Sequence, residues 1–140
     1  MQSLFQELGL SVFSVCLQTS IGMMVFLFIF ERFNNFKSKN FVLTALCIAV
    51  FGALSSLVHL SNPMNAYLTM NNLSSSWLSR EIFIVSLYTA ALFSYFFTRF
   101  IKEYFNPSFD ILGFAVTVVG LATLYVMSEA YISTSVPFWD

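Results

Sequence analysis

The chain has a single histidine, His59, which lies where a long apolar segment runs into a turn at residues 61–63 (Ser-Asn-Pro). A neutral imidazole in such a position can hydrogen-bond a small polar head group and accept its proton near physiological pH. Ser55 and Ser56 precede His59 by four and three residues, so in a helix all three share one face. A histidine at a helix end can also simply bond a backbone carbonyl, and the residue type alone does not separate these two roles.

Three further polar side chains are candidates for the same site: Gln18, Arg80 and Glu81. Arg80 and Glu81 stand at the start of another apolar segment, where Ser79 is the expected N-cap and Glu81 falls in the first helical turn. With a compact intervening loop, this helix start lies at the same membrane level as His59. Gln18 lies about ten residues into the first apolar segment, where a polar group needs a partner helix or a cavity. The alternatives are a solvated helix start for Arg80 and Glu81, and a contact between helices for Gln18.

The segments that carry these residues have the composition of membrane-spanning helices. The chain has 140 residues, of which 58% are hydrophobic and 9% charged, whereas a soluble domain carries about a quarter charged residues. Runs of about 20 apolar residues are long enough to cross a hydrocarbon core about 30 Å thick. We predict an all-α integral membrane bundle, a single transmembrane domain over residues 1–140, with four transmembrane helices at about 9–30, 41–60, 79–100 and 111–130. The net charge of −1 provides no positive electrostatic potential that would attract nucleic acid.

Metal centres within the chain are disfavoured by the small number of ligands. One histidine cannot supply the paired axial ligands that a haem-carrying membrane anchor commonly uses. Cys16 and Cys47 both fall in apolar segments and form no CxxC pattern, so zinc and iron–sulfur sites lack ligands as well. We therefore expect no haem and no metal in this chain, and any redox centre would belong to a partner.

The basic residues are distributed unevenly between the loops, which predicts the orientation. Five of the six lie in or beside the first and third loops: Arg32, Lys37, Lys39, Arg99 and Lys102. The second loop has only Arg80, so the first and third loops are expected in the cytoplasm. Both termini and His59 then face the opposite side, which in a bacterium is the periplasmic side of the inner membrane.

Two segments carry a family resemblance. Residues 59–67, His-Leu-Ser-Asn-Pro-Met-Asn-Ala-Tyr, resemble the His-Leu-Gly-x-Pro-x-x-Ala-aromatic signature of the DmsC family, the membrane-anchor subunits of bacterial dimethyl sulfoxide (DMSO) reductase-type molybdoenzymes. Residues 76–82, Ser-Trp-Leu-Ser-Arg-Glu-Ile, look like the family's following Leu-Ser-x-Glu-Ile stretch. Ser61 stands in place of the family's usual glycine, and Asn65 in place of a frequent basic residue. The family is about twice as long, with eight spans, and this chain resembles its N-terminal half.

The resemblance implies a role in anaerobic respiration. Family members anchor an iron–sulfur electron-transfer subunit and a molybdopterin catalytic subunit, and oxidise menaquinol for them. From these residue types together with the resemblance, we expect His59 to be the proton acceptor or carbonyl ligand and Glu81 to be a proton exit. Arg80 and Gln18 are further quinol-binding candidates. The protein would be a non-catalytic anchor subunit that takes part in quinol oxidation, with the lipid bilayer around it and a second copy or a C-terminal half beside it.

Two other classes stay open at this point. A purely structural anchor or assembly protein would use the same four helices without a quinol site. A small transporter would need an acidic residue deep within a span, and Glu129 is the candidate for that role.

Overall fold

The computed structural model describes residues 1–34, 39–59, 74, 77–101 and 108–135. In this part of the chain there are four α helices, which we number in order: α1 (Gln2–Asn34), α2 (Lys39–His59), α3 (Trp77–Ile101) and α4 (Ser108–Ser135). Each is long and apolar enough to cross a membrane. The predicted all-α architecture with four membrane-spanning helices is confirmed. The turn predicted at 61–63, most of the three loops and the C-terminal tail lie outside the described residues.

The helices extend beyond the segments expected from hydropathy. Residues 2–8 contain no proline or glycine and continue α1 towards the N-terminus, so that it has 33 residues. A helix of that length is about 50 Å long, more than the roughly 30 Å of hydrocarbon that it must cross. Helix α3 begins at Trp77, so the N-cap prediction for Ser79 was wrong. Ser79 lies inside the first turn with its side chain buried, and Glu81 falls in the second turn.

The bundle consists of two helical hairpins. Helices α1 and α2 share the most extensive contact, followed by α3 and α4, while α2–α3 and α1–α4 are smaller contacts. The core between them is made chiefly of Leu17, Ile21, Met24, Val42, Ala45, Tyr88, Leu92, Val116 and Met127. Large apolar side chains also cover the outer surface, among them Phe26, Phe51, Phe93 and Phe114. A lipid-facing surface has this composition, because lipid tails are as apolar as a protein core.

A buried hydroxyl pair joins three helices at the centre of the bundle. Ser20 Oγ of α1 donates to the carbonyl oxygen of Ala45 in α2, at 2.8 Å. Tyr88 Oη of α3 lies 3.0 Å from the same Ser20 Oγ. Because a serine hydroxyl has one proton and Ser20 uses it on Ala45, Tyr88 must be the donor in this second bond. Polar groups in a membrane interior need such partners, and this pair satisfies both hydroxyls.

Glycines allow the closest approaches between helices. A Cβ atom added to Gly52 of α2 would lie 2.8 Å from Cys16 Cβ of α1 and 3.4 Å from the Phe13 carbonyl oxygen. A Cβ atom added to Gly120 of α4 would lie 3.2 Å from the ring of Tyr88. The first contact brings α1 and α2 together, and the second lets the Tyr88 ring lie against α4.

Candidate functional site

A cavity of about 630 Å³ lies between α2 and α3, with α1 behind it. Its volume is within the range of about 300–1,000 Å³ that is typical of small-molecule sites. Its lining residues come from one short part of α1 and from long stretches of α2 and α3: Leu10, Phe13, Leu46, Val50, Ala53, Leu54, Ser56, Leu57, Glu81, Ile82, Val85, Ser86, Thr89, Ala90, Phe93 and Ser94. The smaller α2–α3 contact is therefore the place where the bundle leaves room for a ligand.

The two ends of the cavity are set by the antiparallel course of α2 and α3. Ser56 and Leu57, near the end of α2, line it together with Glu81 at the start of α3. The other end is lined by Leu46 of α2 and Ser94 of α3. The cavity thus runs along both helices from the end of the bundle where α2 stops towards the interior.

Glu81 is the one ionisable side chain among the described residues that line the cavity. It is only 7% exposed. Within the described part of the chain its carboxyl group has no hydrogen-bond or ion-pair partner. A carboxyl group in an apolar wall is costly unless something bonds to it, so a ligand hydroxyl group in the cavity would be a favourable partner.

The other polar residues of the wall are already satisfied by their own helices. The hydroxyl groups of Ser56, Ser86, Thr89 and Ser94 donate to carbonyl oxygens three or four residues earlier, at 2.7 to 2.9 Å. Their protons are therefore unavailable to a ligand, and the wall beyond Glu81 acts as an apolar surface with small side chains. The cavity is amphiphilic, with an acid at one end and an apolar length behind it.

His59 is the last residue of α2, at the same end of the bundle as Glu81. It follows the cavity-lining Ser56 by three residues, which is the spacing of one helical face. The structure does not describe its side chain.

The other two predicted site residues are not among the cavity-lining residues. Arg80 is exposed, with its guanidinium carbon 4.7 Å from the centre of the Trp77 ring. It also donates a hydrogen bond of 3.2 Å to the Ser74 carbonyl oxygen, so it turns towards the rim of the bundle. Gln18 is exposed on α1, away from the cavity wall. The site that the structure describes therefore brings Glu81 to the helix end that carries His59, with Arg80 nearby.

The part of the cavity that sequence reasoning missed is the α3 wall. Ser86, Ala90 and Ser94 recur every four residues in a helix that otherwise carries many phenylalanines. Small residues at that spacing form a shallow strip on one face of a helix. This spacing of small residues could have indicated a groove on α3 from the sequence. It does not show whether a neighbouring helix or a ligand fills the groove.

No group of three or more histidine, cysteine, aspartate or glutamate residues could hold a metal ion in the described ranges. Cys16 is half-buried and Cys47 is exposed, and both are free thiols.

The fold and cavity define a multi-pass helical membrane protein with an amphiphilic site between two of its helices. The protein belongs to the DMSO reductase anchor subunit (DmsC) family, whose model matches residues 1–140. It is 26% identical over 139 residues to the C chain of the anaerobic dimethyl sulfoxide reductase of Haemophilus influenzae, an alignment that covers 96% of this sequence and 50% of that relative. The sequence thus spans about half the length of this relative. No solved structure matches it. The family membership predicted from residues 59–67 and 76–82 is confirmed.

Proposed function

We propose that the protein is the menaquinol-oxidising part of the membrane anchor in an anaerobic DMSO reductase-type complex. The observation that carries the proposal is the buried Glu81 carboxyl group in the cavity wall, at the end of the bundle where α2 stops at His59. A quinol is an amphiphile with two hydroxyl groups on a flat ring and a long apolar tail. An acid at one end of an apolar cavity, on the side of the bundle where α2 ends, matches that distribution of polarity.

Oxidation of a quinol to a quinone releases two protons and two electrons. In the proposed mechanism His59 accepts a proton from a head-group hydroxyl as a general base, because an unperturbed imidazole pKa of about 6.5 suits that transfer. Glu81 hydrogen-bonds the head group and passes protons outwards, and Arg80 lies at the rim beside this exit. Gln18, also expected from the sequence to contact the quinol, lies outside the described cavity wall and has no role in this mechanism. The electrons leave to an iron–sulfur subunit, since we assign no redox centre to this chain.

The partners in this proposal are an iron–sulfur electron-transfer subunit and a molybdopterin catalytic subunit. Membership of an anchor-subunit family supports the assignment. A second copy of the protein, or a C-terminal half equivalent to the rest of the longer relative, would complete the anchor within the bilayer.

The orientation is also proposed. The termini and the His59 end face the periplasm, and the loops near Lys37 and Lys102 face the cytoplasm, on the five-to-one distribution of basic residues. In a variant without Cys16 and Cys47, we expect Ser38→Cys to react with a membrane-impermeant thiol reagent only after the cells are opened. Labelling of Ser38→Cys in intact cells would show that the orientation is inverted.

The test of function uses His59→Ala, His59→Gln and Glu81→Gln in membranes that contain the assembled complex. Quinol-dependent reductase activity is compared with activity driven by an artificial dye that bypasses the anchor. Losing one head-group hydrogen bond costs about 1–3 kcal/mol, or roughly 5- to 150-fold in quinol affinity. His59→Gln keeps hydrogen bonding without the proton acceptor, so it should lower turnover more than affinity.

The matched control is Glu7→Gln, which changes an exposed acid of α1 that does not line the cavity. It should leave both activities unchanged. Normal quinol oxidation by both His59→Ala and Glu81→Gln would refute the proposal and favour a purely structural anchor. Loss of the dye-driven activity would instead show that the variant had lost its catalytic subunit.

A further inference from the structure

We infer that the cavity along α3 between Glu81 and Ser94 is the binding groove for the isoprenoid tail of the quinol, and that it makes the protein selective for tailed quinols. This inference rests on the proposed function, because it places the head group at Glu81. It goes beyond that function by assigning a role to the part of the cavity that carries no ionisable side chain among the described residues.

The length of the groove fits a long tail rather than a ring. Residues that line it on α3 recur at each helical turn from Glu81 through Val85 and Thr89 to Phe93 and Ser94. At a rise of about 1.5 Å per residue, that stretch is about 20 Å long. A quinol ring fills only one end of such a groove, and several isoprene units fit in the rest.

The wall of the groove suits a hydrocarbon. Ser86, Thr89 and Ser94 donate their hydroxyl protons to carbonyl oxygens of Ile82, Val85 and Ala90, so they present no free donor. A ligand that lies against them needs no hydrogen bonds along its length. Polar recognition is concentrated at Glu81, which orients an amphiphile with its head at that end.

The rims of the groove face the surrounding lipid. Val50 and Leu54 of α2 and Phe93 of α3 line the cavity and are also exposed on the surface of the bundle. A tail can therefore enter sideways from the bilayer without crossing water. Because the tail is already in hydrocarbon before binding, the groove gains little from the hydrophobic effect. Its contribution comes from close packing and from holding the head group in a reactive position.

The test fills the middle of the groove with Ala90→Phe. Ala90 lines the cavity and its side chain is exposed, so the larger ring occupies the groove without entering the core. The matched control is Ala122→Phe, an equally exposed alanine of α4 that does not line the cavity. Binding to the full protein in lipid nanodiscs is followed by quenching of tryptophan fluorescence. The probes are the tail-less naphthoquinone menadione and a menaquinone with a short isoprenoid tail.

We expect Ala90→Phe to weaken binding of the tailed quinone by roughly 5- to 150-fold, the range in affinity that overpacking costs. Menadione should bind Ala90→Phe as it binds the unmodified protein, and Ala122→Phe should bind both quinones normally. Equal weakening of both probes, or of neither, would overturn the tail groove. The head-group site would be tested separately by Glu81→Leu, which removes every hydrogen-bonding atom of the side chain and should weaken both probes. If neither quinone binds the unmodified protein, the proposed function itself fails.

A second measurement does not depend on any variant. A tailed quinone with a photoreactive diazirine at the tail end is irradiated with the unmodified protein in nanodiscs, and the labelled peptides are identified. Labelling concentrated at residues 85–94 supports the tail groove. Labelling spread evenly over the lipid-facing surfaces of α3 and α4 would overturn it. A diazirine phospholipid that labels the same residues and is not displaced by the tailed quinone would assign the groove to a lipid acyl tail instead.

Discussion

Glu31 near the end of α1 and Arg99 near the end of α3 form a bidentate ion pair. Arg99 Nη1 lies 2.6 Å from Glu31 Oε1, and Arg99 Nη2 lies 2.7 Å from Glu31 Oε2. The side chains are only 11% and 13% exposed for Arg99 and Glu31. The guanidinium carbon also lies 4.9 Å from the centre of the Tyr95 ring. Helices α1 and α3 have little other contact, so this pair joins them at the end of the bundle that lies away from Glu81.

Removing one member of this pair should destabilise the bundle strongly. Arg99→Leu leaves a carboxylate without its partner, and loss of one partner of a buried ion pair costs about 3–5 kcal/mol. The double variant Glu31→Leu with Arg99→Leu should recover much of that loss, because no unpaired charge remains. Unfolding in detergent by added denaturant, followed by tryptophan fluorescence, measures both. Equal stability of Arg99→Leu and the unmodified protein would show that the pair contributes nothing.

The hydroxyl bond between Tyr88 and Ser20 should contribute less. Tyr88→Phe removes the donor while keeping the ring that packs against α4, so we expect a loss of about 1 kcal/mol. Ser20→Ala should cost more, because it also leaves the Ala45 carbonyl oxygen without its side-chain donor. The double variant should cost less than the sum of the two single changes, as expected for groups that contact each other. Strict additivity in a double-mutant cycle would argue against the bond.

Two of the helical glycines, Gly52 and Gly22, should respond oppositely to the same change to alanine. Gly52→Ala forces a Cβ atom against Cys16 Cβ at 2.8 Å, and such overpacking costs about 1–3 kcal/mol. Gly22→Ala meets nothing within 4 Å, so it should stabilise α1 by up to about 1 kcal/mol through helix propensity. Thermal unfolding of the two variants in one detergent compares them directly. A loss of stability in Gly22→Ala would mean that this face of α1 is packed against another molecule.

Gln18 provides a test of the site boundary. Because Gln18 is exposed on α1 and does not line the cavity, we expect Gln18→Leu to leave binding of both quinone probes unchanged. Fluorescence quenching in nanodiscs, with Glu81→Leu as the variant that should weaken binding, makes the comparison. Weaker quinone binding by Gln18→Leu would restore Gln18 as a head-group contact and would require the quinol to extend beyond the described cavity.

The sequence predicts the number of membrane-spanning helices but not which of their faces turn inwards, for a physical reason. Hydrocarbon demands about 20 apolar residues per crossing, and that demand is visible in the chain. It does not show which face of each helix turns inwards. Helices α2 and α4 are apolar on every side, so periodicity is lost. The α2 residues that line the cavity, among them Leu46, Val50 and Leu54, were therefore not predictable from periodicity.

Glu81 illustrates the same limit. Residue type and its place near a helix start favour an exposed acid, and the prediction of a first-turn position followed from the wrong helix start at Ser79. Its burial depends on how α2 and α3 diverge, which is a property of side-chain packing between two distant segments. The residue types at the start of α3 and the family resemblance both favoured Glu81 as a site residue, but neither predicted that it is buried.

The division of the bundle into two hairpins has a mechanical consequence. Each hairpin is packed more extensively within itself than against the other, so the two should move as stiff bodies about the seam between α2 and α3. The Glu31–Arg99 pair and the Ser20–Tyr88 bond join the two hairpins at the far end and at the centre of the bundle, so we expect relative motion to be larger at the Glu81 end. At the Glu81 end, α2 and α3 should separate more easily. A ligand bound there would contact both hairpins and hold them together. The ligand-free protein should therefore open transiently at this end more often than the ligand-bound protein.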